Sequence, residues 1–161
     1  MGDFNVQNLA NTAWAFSMAG QDGASLFAAL ATVAEGGMDD FNVQALSNTA
    51  WAFAMAGESD TLLFAALATA AEGRISDFNA QALASTAWAF AKAGQNDALL
   101  FAALATAAER RMGDFNVQAL ANTAWAFAKA GQEGALLFAA LAAVSEQHIG
   151  DFNVQVLANT A

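Results

Sequence analysis

A strict 37-residue period limits what this chain can fold into. Asp3, Asp40, Asp77, Asp114 and Asp151 follow one another at that interval, and so do Trp14, Trp51, Trp88 and Trp125. A unit of this size cannot bury its own apolar face, so repeats of 20–50 residues stack on their neighbours into extended arrays. The repeats run 3–39, 40–76, 77–113 and 114–150. A partial repeat, 151–161, stops before its tryptophan and predicts an excised piece of a longer array.

Each repeat reads as two helices. In Phe115 to Gly131, FNVQALANTAWAFAKAG, Asn116 stands where an N-cap belongs and its side chain can accept from an orphan N–H of the first turn. Phe115 before the cap and Leu120 at the fourth helical position have the spacing of a hydrophobic staple. Gly131 tolerates the left-handed backbone that ends a helix. After a short link such as Gly94-Gln95-Asn96-Asp97, where Asn96 or Asp97 can cap, a second helix begins at Ala98. Its core is read as Leu99, Leu100 and Phe101 with Leu104, and it ends near Glu109-Arg110. A short connection through Met112, Gly113 and Asp114 follows. The fold predicted is all-α: an α-solenoid of tandem antiparallel hairpins, with alanines between the large residues letting helix axes approach closely.

Composition narrows the function. With 57% hydrophobic residues in 161, a sizeable core is expected, and the absence of cysteine removes disulfides and thiolate metal sites. Fifteen acids against five bases give a net charge of -10, spread along the chain, which predicts a surface that repels polyanions. The longest uncharged run, Phe4 to Gln21, carries several amides and falls short of the roughly 20 apolar residues of a membrane span. Repeat residues begin at Asp3, so no leader is expected. Val6 lacks the hydroxyl that a myristoylation motif needs.

At 100° per residue, Val6, Leu9, Ala13 and Phe16 share one face of the first helix, and Gln7, Asn11, Trp14 and Met18 form a second stripe. Its counterparts are Gln44, Asn48, Trp51, Met55; Gln81, Ser85, Trp88, Lys92; and Gln118, Asn122, Trp125, Lys129. Amides, an aromatic face and sometimes a cation would suit a single-stranded nucleic acid platform. Large aromatics are mostly buried, however, so the bland alternative packs the tryptophans between repeats and satisfies the amides locally.

The pattern F-N-x-Q-x-L-[AS]-[NS]-T-A-W-A-F-[AS]-x-A-G, as in Phe78 to Gly94, resembles octotricopeptide repeats and their 37-residue relatives, the heptatricopeptide repeats. Leu-Ala-Asn-Thr-Ala-Trp-Ala-Phe, at 120–127, is its most specific part. The resemblance implies a helix-hairpin solenoid that binds organellar RNA sequence-specifically. It places the reading side chains on the first helix of each repeat, at Asn8, Ala45, Ala82 and Ala119, or at Asn11, Asn48, Ser85 and Asn122, with Lys92 and Lys129 as further contacts. The charge points to another class, a protein-binding or head-to-tail self-stacking scaffold.

Catalytic chemistry finds no support. His148 is the single histidine and shares its column with Gly37, Arg74 and Arg111, which reads as a solvated helix end. No histidine recurs beside Ser17, Ser47 or Ser85 to activate a nucleophile. The rows Glu35, Glu72, Glu109, Glu146 and Asp3 to Asp151 lack the dense oxygen loop of a calcium site and read as solvated edges. Neither a cofactor nor a metal is expected. Because every added repeat gains an interface, chains of two, three and four repeats should melt at increasing temperatures in calorimetry. Equal melting temperatures would contradict the array.

Overall fold

The computed structural model describes residues 5–20, 23–132 and 134–149. The partial repeat at 151–161 lies outside them. The described chain is all-helical and forms an α-solenoid: α1 (Val6–Ala19), α2 (Ala24–Gly36), α3 (Val43–Met55), α4 (Thr61–Gly73), α5 (Ala80–Lys92), α6 (Ala98–Arg110), α7 (Val117–Lys129) and α8 (Ala135–Gln147). Odd-numbered helices are helices A of successive hairpins and even-numbered helices are helices B.

Local signals set these boundaries. Asn5, Asn42, Asn79 and Asn116 cap the four A helices, each side chain accepting from the backbone N–H three residues on at 2.7–2.9 Å. Asp60 and Asp97 cap α4 and α6 in the same way. Gly23 and Gly134 occupy that position before α2 and α8, which have no side-chain cap. Helices α3, α5 and α7 end in Schellman motifs. Gly94 has φ +72°, its N–H donates to the Ala91 carbonyl, and the Gln95 N–H reaches back to Phe90. The connection from each B helix to the next A helix contains a single 3-10 turn, Met38–Asp40, Ile75–Asp77 or Met112–Asp114. The first residue of each turn packs into or against the core, which a sequence reading of a plain short link does not anticipate.

Packing runs from repeat to repeat. Phe27 of α2 meets Phe53 of α3 edge to face at 5.0 Å, and the pairs Phe64–Phe90 and Phe101–Phe127 repeat this geometry at 5.0 and 5.1 Å. Consecutive A helices lie closest to one another, whereas consecutive B helices are more widely separated. Alanines allow the close approach: Ala50, Ala52 and Ala54 of α3 and Ala87, Ala89 and Ala91 of α5 are all buried. The array therefore bends with helices A on its inner side and helices B on its outer side.

Two sequence expectations need correction. Leu99 is not core: it is 74% exposed, while Leu100, Phe101 and Leu104 are buried as expected. Leu100, Phe101 and Leu104 turn toward the A layer, and Leu99 falls on the opposite side of the same helix. The column of Gly37, Arg74, Arg111 and His148 is also not simply a solvated end. Arg74 Nη2 donates to the Asp39 carbonyl at 2.8 Å and Arg111 Nη2 to the Ser76 carbonyl at 3.0 Å, each reaching the 3-10 turn of the preceding repeat. Gln95 Nε2 makes a third link of this kind, to the Ser59 carbonyl at 3.3 Å.

Phe90 is buried in its edge-to-face pair, so Phe90→Ala should cost about 3–5 kcal/mol through the cavity it leaves. Ser85 is half-buried and its counterparts are asparagines. Ser85→Asn should lie within about 0.5 kcal/mol of the parent. Chemical denaturation of both variants checks the pair, and a large loss from Ser85→Asn would place that column in the core.

Candidate functional site

The second stripe of each A helix opens onto the inner surface. Within it, Gln7 Nε2 donates to Asn11 Oδ1 at 3.0 Å, Gln44 to Asn48 at 2.9 Å and Gln118 to Asn122 at 2.9 Å. These i, i+4 pairs follow from helical geometry. Each uses the asparagine oxygen and leaves its NH2 to donate. In α5 the column carries Ser85, too short to continue the pattern with Gln81.

One turn further along, the tryptophans form a ladder. Trp51 and Trp88 lie with ring centroids 6.2 Å apart and Trp88 and Trp125 6.0 Å apart, tilted by about 31° and 32°. The packing alternative holds in part. The rings of Trp51, Trp88 and Trp125 pack on one another between repeats, yet they are only half-buried, and Trp14 is 49% exposed. A groove of about 370 Å³ runs across the four A helices, lined by Asn11 and Trp14, Asn48 and Trp51, Gln81 and Ser85, and Asn122. It brings Asn11, Asn48, Ser85 and Asn122 onto one continuous surface.

The alternative column does not behave this way. Asn8 is exposed, but its counterparts Ala45, Ala82 and Ala119 are 1%, 5% and 5% exposed. Those alanines lie on A helices in close contact with the A helices of neighbouring repeats. Asn8 is thus the exposed member of a column whose other three positions are buried. Lys92 and Lys129 are exposed at the last positions of α5 and α7, one turn beyond Trp88 and Trp125. They sit at the negative end of each helix dipole, which takes part of their charge.

The structure thus offers amide donors, partly open indole faces and two cations at one end, a set suited to hydrogen bonding and stacking. Of the described members of the acidic rows, Asp40, Asp77, Asp114, Glu109 and Glu146 are exposed and Glu35 and Glu72 half-buried, and among the described residues no three metal-ligating side chains come together. Burial first, and the charge of Asp97 second, push the Glu72 carboxyl up. An acid raised on folding opposes the fold when ionised, and that penalty disappears as pH falls through its folded value towards its unfolded one. No helix among the described residues is long and apolar enough to cross a membrane.

Two features of the site escape sequence reasoning. Thr49 and Thr86, each next in sequence to a groove residue, are buried with hydroxyls lacking a hydrogen-bond partner, although the equivalent Thr123 bonds to the carbonyl four residues back at 2.7 Å. The mutual stacking of the tryptophans was also not predictable in its geometry, because the 37-residue interval says nothing of the distance between adjacent A helices.

The ladder makes a spectroscopic prediction. Trp88 stacks on both neighbours, so Trp88→Phe should remove the indole exciton signal from the circular dichroism spectrum. Trp14→Phe should leave it in place. An unchanged spectrum in Trp88→Phe would show that the rings are not coupled in solution.

The family described as RESC6, RNA-editing substrate-binding complex 6 protein, matches residues 1–153. The chain belongs to that family. No curated protein matches it.

Proposed function

We propose that this member of the RNA-editing substrate-binding complex 6 protein family is a non-catalytic scaffold whose helix A groove takes a segment of single-stranded RNA. The observation that supports this most directly is the continuity of the groove, with amides contributed by four consecutive A helices and indoles by Trp14 and Trp51. On this reading the four 37-residue repeats are the modules of one solenoid domain. Asn11, Asn48, Ser85 and Asn122 contact base edges, the tryptophans supply stacking faces, and Lys92 and Lys129 meet phosphates at the rim. The family description accords with such an RNA-associated role, and an organellar setting goes with it.

Charge decides how such a site would work. With fifteen acids against five bases, the chain cannot neutralise a phosphate backbone, the usual source of affinity for nucleic acid. Contact would then rest on bases, where stacking is worth about 1–3 kcal/mol per base on an open aromatic face. The phosphates would be neutralised by other, basic subunits of an assembly. The near-identity of the repeats also suits a surface with little sequence discrimination better than a one-base-per-repeat code, which needs side chains that differ.

This produces an unusual salt dependence. Phosphate-driven binding weakens steeply as salt rises, whereas here salt screens repulsion between an acidic protein and its ligand. Fluorescence anisotropy with labelled random single-stranded RNA should give no appreciable binding at physiological salt. Weak binding should emerge as salt is raised, and Trp51→Ala, which removes an indole lining the groove, should abolish it. Micromolar or tighter binding that falls with salt would overturn the charge argument. Binding indifferent to Trp51→Ala would remove the groove as the site.

A further inference from the structure

The outer layer carries a second periodic feature. Leu62, Leu99 and Leu136 occupy the second position of α4, α6 and α8, 37 residues apart, and are 72%, 74% and 76% exposed. A single exposed leucine is ordinary. Three at one position of successive repeats, all on the side of helix B turned away from the core, make a row. Folding does not require them, because Ser25 stands at the same position of α2, whose Phe27, Leu30, Ala31 and Ala34 are buried all the same.

The surroundings define what fits. Ala65, Ala102 and Ala139, one turn along from each leucine, are exposed and small, so the surface beside the row is low and apolar. Asp60 and Asp97, the caps two residues before Leu62 and Leu99, put a carboxylate beside these rungs, and the chain as a whole is at -10. Between the first turn of α4, which carries Leu62, and the link before α6, an open groove of about 290 Å³ reaches Phe64 and Phe90 and is lined by Asp97. Packed helices lie about 8–10 Å apart, and consecutive B helices approach one another less closely than consecutive A helices do. Seven residues of an α-helix advance about 10.5 Å.

We infer that the outer leucine row is a docking surface for a basic amphipathic helix, laid across the B helices with one apolar residue per heptad on the leucines and lysines or arginines beside the aspartates. The apolar row sets the spacing and the acidic rim sets the sign of the partner. This surface lies on the opposite layer from the helix A groove and does not depend on RNA binding there.

The probe is a fluorescent synthetic helix of about three heptads, with leucine at every seventh position and lysines flanking it. A permuted peptide of identical composition, whose leucines do not share a face, is its control. The full chain should bind the probe, and the triple variant Leu62→Ser, Leu99→Ser, Leu136→Ser should weaken it roughly tenfold or more. Serine is native to this position in α2, so the variant should keep the parent's helical circular dichroism and melting behaviour. Equal binding of the permuted peptide, undiminished binding by the triple variant, or equal binding of a glutamate-for-lysine probe would each overturn the inference. So would a concentration-dependent dimer of the parent that the serine variant lacks, which would make a second copy the occupant. Single-stranded RNA that competes the probe away would overturn the separation of the two surfaces.

Discussion

The edge-to-face contact between a phenylalanine of one helix B and a phenylalanine of the following helix A joins every described pair of repeats. Phe27–Phe53, Phe64–Phe90 and Phe101–Phe127 share one centroid distance to within 0.1 Å and approach perpendicularity. Each such pair adds about 0.5–1.5 kcal/mol beyond the area it buries. Its larger effect is geometric, because it locks the angle at which a hairpin meets its neighbour. A repeated angle brings the A helices into close contact, restricts the facing positions to alanine and aligns the tryptophans and amides into one surface. The arginine links from Arg74 and Arg111 to the preceding 3-10 turns fasten the same joint from its other end.

The inner and outer surfaces differ because the two helices of a hairpin do different work. Helix A is enclosed by neighbours on both sides, so what remains exposed on it is a narrow stripe whose amides already bond to each other. Helix B is enclosed on one side only and can carry side chains that the fold does not use. A polar, aromatic groove and an apolar row with acidic flanks follow from this asymmetry.

Much of this architecture was legible in the residues. The asparagine caps, the glycine after each A helix and the aspartate caps of α4 and α6 are signals within a few residues of the atoms they bond, and local chemistry is what sequence records most directly. Misreadings arose where the outcome depended on a neighbouring repeat. Leu99 belongs to an apolar triplet, and only the direction of the A layer tells that Leu100 and Phe101 point in while Leu99 points out. Ala45, Ala82 and Ala119 share a column with the exposed Asn8, and nothing within one repeat shows that they lie on helices in close contact with neighbouring A helices. Arg74 and Arg111 looked like solvated ends because their acceptors lie 35 residues earlier. For the groove, the stripe of Gln, Asn or Ser, and Trp was evident from 100° spacing, whereas the half-open packing of its indoles depends on an interhelical distance.

The unequal spacing of the two layers has a mechanical consequence. The A helices are in contact through alanine, which leaves nothing to compress, while the B helices stand further apart, with open grooves beside α4 and α6 in the outer layer. A bending load is therefore resisted by the inner layer as by a stiff hinge line and is taken up in the outer one. The array should flex by opening and closing its outer grooves, with the inner groove keeping its length and its spacing of side chains. A ligand held along the inner surface would then experience a ruler of constant pitch, even as the outer contour of the scaffold bends to fit an assembly around it.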